Sequence, residues 1–213
     1  IDVARLPGEQ EDNRAAILKI LQDSSIERPP FAPPFLVHDG LMIAQAAAIL
    51  QYLAPKIGII GESESDRMFA HQIQLTVTDL LMEVHDTHHA VASELYYEDQ
   101  IEESKKRAAN FIEFRIPKHM GYYEKILANN ASGSGWLIGE TLTYPDLSVF
   151  QMIEGLRYAF PKGFGKIETN YPKTLALRDA VAARPNTAAY LVSDRRIPFN
   201  TMGMFRHYPE LDG

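Results

Sequence analysis

The sequence has no cysteine among its 213 residues, which excludes disulfides, thiolate metal sites and a cysteine nucleophile within this chain. Basic residues are also scarce: 21 Lys and Arg against 28 Asp and Glu give a formal net charge of -7. The basic footprint that nucleic acid or an anionic membrane surface requires is therefore missing. No apolar run reaches the roughly 18 residues of a membrane span. We expect neither nucleic acid nor membrane as a partner.

The remaining composition is that of a globular protein, with 46% hydrophobic and 23% charged residues. Two short apolar runs around an Asp-Gly pair predict a hairpin over residues 35–43. Apolar residues at helical spacing, or runs rich in alanine, predict helices elsewhere. These helices cover residues 11–22, 44–54, 64–93, 99–129 with a possible break at Pro117, 147–158, 173–183 and 185–192.

The order of these elements predicts an α+β fold, in which a small mixed unit is followed by a helical bundle. A Pro- and Gly-containing segment, residues 55–61, is a plausible linker. We therefore expect one domain over residues 1–56 and an all-helical domain over residues 63–213. The tail, residues 195–213, shows no regular pattern.

The stretch PPFAPPFLVHDGLMIAQ, residues 29–45, sets Pro33 and Pro34 directly before an apolar strand. Proline removes a hydrogen bond from the ladder of a sheet, so its place here needs a reason. Two interpretations stay open from the local sequence. The prolines lead into an edge strand as a polyproline segment, or they form a tight turn that presents backbone to a ligand.

The wider pattern resembles the glutathione transferase superfamily. The sequence runs from Pro34 through apolar residues and Asp-Gly to a helix reading QAAAILQYLA, residues 45–54. Farther along, GETLTYPDL places Thr143 and Asp146 as an N-terminal capping box. The resemblance covers about residues 1–195. It implies a thioredoxin-like N-terminal domain in which Pro34 is cis, followed by an all-α domain.

The resemblance also implies glutathione as co-substrate and gives roles to five residues. Pro33 and Pro34 would present backbone to the cysteinyl part of glutathione. Gln45 and Ala46, at a helix start, would bind the γ-glutamyl carboxylate, because free N–H groups and the helix dipole favour an anion. Asp79 would reach across a dimer interface to the ligand's α-ammonium group. A solvated aspartate on a long helix is the alternative for Asp79.

Two of these positions depart from the family pattern. Pro33 has no N–H, so it can accept but not donate a backbone hydrogen bond. The family usually has Ser or Thr where this chain has Ala46, which removes one hydrogen bond to a charged group, about 1.5–3 kcal/mol at most. Both departures point to a lowered affinity for glutathione, a shifted pose or a different ligand.

The family activates the glutathione thiol by a Tyr, Ser or Cys near the first strand of the domain, and no residue in this chain matches it. Ile1 to Ala4 have the character of a strand interior. We therefore expect that a first strand and helix, about 20–30 residues, precede Ile1 and carry the catalytic group; the alternative is that the protein lacks this group.

Two further features remain open at this stage. The resemblance implies that Phe31 inserts into a partner subunit, which predicts a homodimer, and the alternative is that it packs in the core of its own chain. His85 and His89 lie four residues apart on a predicted helix with Asp86 beside them. A metal site lacks an evident third ligand here, so we expect none. These histidines, with Tyr96 and Tyr97, line an electrophile pocket or serve only in packing.

Three functions fit these observations. The first is a cytoplasmic glutathione transferase, active in detoxification, that joins glutathione thiolate to small apolar electrophiles. The second is a weakly active or inactive relative that binds ligands or serves as a scaffold. The third is a glutathione-dependent isomerase or peroxidase, which differs only in the electrophile pocket.

Overall fold

A computed structural model describes residues 10–213, and the strand expected at residues 1–4 lies outside this range. The chain divides into two compact units. The first ends at Ile57 and the second is Gly58–Gly213. The boundary falls within the segment 55–61. The domain limits of residues 1–56 and 63–213 stay a prediction.

The first unit contains a helix, a β-hairpin and a second helix. Their bounds are α1 Gln10–Leu21, β1 Phe35–His38, β2 Leu41–Ala44 and α2 Ala46–Leu53. The strands are antiparallel, and Asp39 and Gly40 connect them with φ angles of 50° and 76°. Two positive φ angles in a two-residue loop are typical of the turns that match strand twist. The Asp-Gly pair therefore sets the predicted hairpin.

The second unit is helical, and residues 58–213 contain no strand. Its α-helices are α3 Glu64–His85, α4 Ile101–Asn110, α5 Ile116–Asn129, α6 Tyr144–Ala159, α7 Pro161–Gly165, α8 Pro172–Ala183 and α9 Pro185–Leu191. Short 3-10 turns occur at Tyr97–Asp99, Glu168–Asn170 and Pro209–Leu211. A mixed first unit and a helical second unit confirm the predicted α+β class.

Helix α3 buries one apolar stripe. Its members recur every three or four residues and are Ala70, Ile73, Val77, Leu80 and Val84. The helix packs on α6. The prediction that it continues to residue 93 is wrong, because Thr87 donates from Oγ1 to the Val84 carbonyl at 2.7 Å and competes with further helical bonding.

The possible break at Pro117 does not occur, because the chain stays helical from Ile101 to Asn129. A π-helical turn, Phe111–Arg115, lies directly before the proline, and the Ile116 N–H donates to the Phe111 carbonyl five residues back. Pro117 cannot donate to the carbonyl four residues back. The wider π turn accommodates that loss without ending the helix.

The predicted capping box at the start of α6 is confirmed. The buried Asp146 carboxylate accepts from the Thr143 N–H at 2.6 Å and from the Leu137 N–H at 2.9 Å. The same side chain thus caps α6 and fixes the preceding loop. In residues 10–213, no helix is both long and apolar enough to cross a membrane.

Candidate functional site

The open end of the hairpin brings four of the predicted site residues together. The register pairs Phe35 with Ala44, so the residues that flank this pair, Pro34 and Gln45, lie at the same end. The Pro33–Pro34 peptide bond is cis, as the resemblance implies. Both prolines are exposed. The hairpin therefore presents a proline turn beside the start of α2.

The start of α2 has free backbone donors. The Ile49 N–H is bonded to the Gln45 carbonyl at 3.0 Å, so the N–H groups of residues 46–48 have no partner inside the helix. Gln45 makes no side-chain cap, and the first turn carries no acidic residue. Ala46 is exposed and Ala47 is buried. Such a helix start favours an anion such as a carboxylate.

The backbone of Gln45 is strained, with φ 70° and ψ 123°. Side chains rarely adopt such angles, and the cost is about 1–3 kcal/mol. The strain explains why α2 begins at Ala46 rather than at residue 44, because a residue with positive φ cannot continue an α-helix. Strained residues often occur where a ligand is bound, which supports this corner as a binding site.

Asp79 belongs to the second unit and is exposed on α3. It lines a cavity of about 580 Å³ between α3 and α5, together with Glu83, Arg115, His119 and Tyr122. The family resemblance gives a role to Asp79 but none to these four neighbours. The proposed contact of Asp79 with a ligand of a partner subunit stays a prediction.

An ion-pair network crosses this cavity, and the sequence analysis missed it. The Arg115 guanidinium donates to both carboxylate oxygens of Glu83 at 2.7 Å, and His119 Nε2 lies 3.4 Å from one of them. The hydrogen bonds from Arg115 lower the pKa of Glu83. Burial lowers the pKa of His119. Arg115 and His119 are four residues apart, a spacing that could have revealed their shared helix face.

The histidines at the end of α3 form a cluster. The rings of His85 and His89 are stacked with centroids 4.6 Å apart. Among residues 10–213, no group of three or more His, Cys, Asp or Glu side chains is placed to hold a metal ion. Tyr97 is buried and stacks on Tyr208, whereas Tyr96 is 78% exposed. Packing thus accounts for Tyr97, and a pocket-lining role for the other residues stays a prediction.

A hairpin with a cis-proline, a helix that starts beside it and a separate helical unit are the features of a class of proteins in which a thioredoxin-like domain precedes an all-helical domain. Comparisons with known proteins agree. The family model for the glutathione S-transferase C-terminal domain matches residues 85–194. The glutathione S-transferase of Plasmodium falciparum is 29% identical over 164 residues, which cover 75% of this chain and 69% of that protein.

Two further comparisons concern a second relative and a crystal structure. S-crystallin SL11 of Nototodarus sloanii is 32% identical over 159 residues, 75% of this chain and 71% of that protein. The crystal structure of the glutathione S-transferase Blo t 8 superposes with a TM-score of 0.67 at 22% identity, covering 85% of this chain and 77% of that one. The chain therefore belongs to the glutathione S-transferase superfamily. The predicted thioredoxin-like domain followed by a helical domain is confirmed.

Proposed function

We propose that the protein is a glutathione transferase, which conjugates the glutathione thiolate to small apolar electrophiles. Membership in the superfamily supports a function of this general type. The observation that carries the proposal is the strained Gln45 corner, which opens the α2 N-terminus beside the cis proline. The proposed location is cytoplasmic, with a role in detoxification, as the family resemblance implies.

The proposed contacts follow from the available donors and acceptors. The N–H groups at the start of α2 and the Gln45 amide bind the γ-glutamyl carboxylate of glutathione. The Pro33 carbonyl accepts from the N–H of the cysteinyl unit. The missing Pro33 N–H and the missing hydroxyl at Ala46 leave the ligand with two fewer bonds than the family pattern provides.

Calorimetry of glutathione binding to the whole chain tests this site. Ala46→Ser restores the hydroxyl, and we expect about 10-fold tighter binding, equivalent to about 1.4 kcal/mol. Ala128→Ser is the matched control, because Ala128 is exposed on α5 in the other unit. If the parent and both variants fail to bind glutathione at millimolar concentration, the proposed function is refuted.

A glutathione-binding protein without turnover is the second candidate. The departures at Pro33 and Ala46 favour it, and one relative carries a crystallin name rather than a transferase name. Turnover of a small chlorinated aromatic electrophile with glutathione separates the two. Glutathione binding without turnover supports the second candidate, and a screen with peroxide and with isomerisable ketones then tests the third function.

We also propose a homodimer. Phe31 is 91% exposed, so the alternative of packing in the core of its own chain is not what the structure shows. On α3, large apolar side chains recur every seven residues on an exposed face: Met68, Leu75 and Met82. A second copy of the chain would cover these side chains, and Asp79 lies among them on the same helix.

Sedimentation at micromolar concentration tests the dimer. We expect a dimer for the parent and a monomer for Leu75→Glu, because the variant places a charge in an apolar interface. Val192→Glu is the control, since Val192 is 88% exposed and follows α9 rather than belonging to α3. A parent that sediments as a sharp monomer contradicts the proposal.

A further inference from the structure

The C-terminal segment, residues 204–213, packs closely against the second unit although it has little regular structure. Phe205 and Leu211 are 5% and 3% exposed. The Asp212 carboxylate is buried and accepts from the Gly163 N–H at 2.8 Å. These contacts give the segment one defined position, which the sequence pattern did not predict.

His88 attaches the start of this segment to the end of α3. Its ring is 1% exposed, and Nε2 lies 3.0 Å from the Met204 carbonyl oxygen. A carbonyl can only accept, so Nε2 carries the proton and Nδ1 of the neutral ring carries none. Nδ1 is buried and has no hydrogen-bond partner. A proton added at Nδ1 would therefore be a charge without an acceptor.

The surroundings of His88 are mostly basic. The ring centroids of His85 and His89 lie 5.3 Å and 5.0 Å away. Arg206, on the segment itself, adds a positive charge that disfavours a second one on His88. Three imidazole rings and a guanidinium group thus lie near one another. A positive charge on His88 is therefore disfavoured by the other basic groups.

An acid beside the cluster, Asp86, already has partners. Asp86 Oδ1 lies 3.7 Å from Nδ1 of His85, and its other oxygen pairs with Arg107 at 3.2 Å. His89 Nδ1 lies 3.5 Å from the Gln100 amide nitrogen, which is neutral. Neither Asp86 nor Gln100 is hydrogen-bonded to His88, so neither supplies the acceptor that Nδ1 lacks.

The remaining titratable groups at this face belong to the segment and to the elements under it. Tyr208 stacks on Tyr97 at 3.8 Å and lies 6.4 Å from His88. The Tyr97 hydroxyl donates to Glu210 at 2.9 Å. The charge of Lys105 also acts on Glu210. His207 Nδ1 lies 3.1 Å from the Ala159 carbonyl, and it is the second histidine that attaches the segment.

We propose that His88 is a proton-sensitive latch: the neutral ring holds the segment 204–213 in place, and the protonated ring releases it. Burial, with smaller contributions from Arg206 and the neighbouring histidines, lowers the pKa of His88 from 6.5 to about 4. The hydrogen bond with Met204 acts in the opposite direction and is the weaker effect. Release lets water reach Nδ1, so the proton is bound more tightly in the released state.

The direction of the pH dependence follows from linkage. The pKa of His88 is depressed in the docked state, so the latch is fully effective above pH 6.5 and is lost as the pH falls toward 4. Over that range the equilibrium constant for release rises by up to about 300-fold. The inference is independent of the proposed catalytic activity, because it concerns contacts within the second unit only.

A spin label tests the latch, and the absence of cysteine makes the labelling specific. We would place one cysteine at the exposed Pro209 of the full chain and follow nitroxide mobility from about pH 8 to about pH 4.5. The mobile fraction of the label in the parent should rise progressively as the pH falls from about 6.5 to about 4.5. His88→Gln keeps a donor near the position of Nε2 but does not titrate, and its label should stay immobile over the same range.

Two further variants keep the test decisive. His207→Asn retains a donor in place of Nδ1 and should leave the transition intact. Arg206→Gln removes the positive charge, raises the proton affinity of docked His88 and should lessen the release at low pH. A parent that stays immobile, a transition that persists in His88→Gln, or one that His207→Asn abolishes would overturn the proposal. If His88→Gln does not fold, an unchanged transition in Arg206→Gln would overturn it.

Discussion

The strain at Gln45 predicts that this residue lowers the stability of its own unit. With φ 70° and ψ 123°, it occupies a region that only glycine enters at little cost. Replacing it by glycine should recover about 1–3 kcal/mol of strain and lose about 0.5–1 kcal/mol to backbone entropy. The net gain in the free energy of opening is then about 0.5–2 kcal/mol.

Gln45→Ala is the matched control for this prediction. It removes the same side-chain amide, which makes no capping bond. It keeps the Cβ atom, however, and with it the backbone strain of the positive φ angle. The difference between the glycine and alanine variants therefore isolates the backbone contribution. Both variants should lose the same part of any glutathione affinity that the amide provides.

Hydrogen exchange is the suitable assay. The single tryptophan, Trp136, lies in the second unit and would not report on the first. Exchange of the hydrogen-bonded α2 amides, residues 49–53, measures local opening of the first unit directly. The glycine variant should show about 2- to 30-fold slower exchange than the alanine variant. Equal or faster exchange would refute the assignment of strain to this residue.

Three other predictions concern the second unit. Asp146→Ala leaves two buried N–H donors without an acceptor and should cost about 2–6 kcal/mol in urea unfolding; a cost below about 1 kcal/mol would contradict the capping role. Gly155→Ala places a Cβ 2.5 Å from the Phe205 ring and should cost about 1–3 kcal/mol, less in a Phe205→Ala background, as a thermal-melt double-mutant cycle would show. The hydrogen bonds from Arg115 are the main cause of the lowered pKa of Glu83. The ion pair therefore stabilises the folded protein above pH 4.5, and this stabilisation is lost as the pH falls through the depressed pKa. Arg115→Gln should lower the free energy of unfolding by about 1 kcal/mol near neutral pH, because both groups are partly exposed, and should leave it unchanged in acid. An equal loss at both pH values would argue against the pairing.

Local sequence signals gave most of the elements of the first unit. Asp39-Gly40 between apolar runs predicted the hairpin, because a two-residue turn with positive φ angles selects these residue types. The alanine-rich run predicted α2, whereas the prolines alone left two interpretations open, and the cis Pro34 followed only from the family resemblance. The start of α2 differed by two residues, since the strain at Gln45 leaves no trace in residue type.

The helical unit was predicted in outline from apolar spacing. Its errors lie where side-chain hydrogen bonds or a change of helix type override the apolar pattern. The apolar pattern of α3 continues past His85, but Thr87 donates to the Val84 carbonyl and ends the helix. His88 bonds instead to the Met204 carbonyl and attaches the C-terminal segment. Pro117 forbids one hydrogen bond, and only the packed helix shows that a π turn absorbs the loss.

The sequence by itself determined the fold class, the hairpin and the alanine-rich helix that follows it. These features depend on residues that are close in the chain and on backbone preferences that residue type encodes. The tertiary structure alone decided the Glu83–Arg115 pairing, the burial of His88 and the docking of residues 204–213. Such contacts join residues far apart in sequence, and their energies depend on burial, which no local pattern specifies.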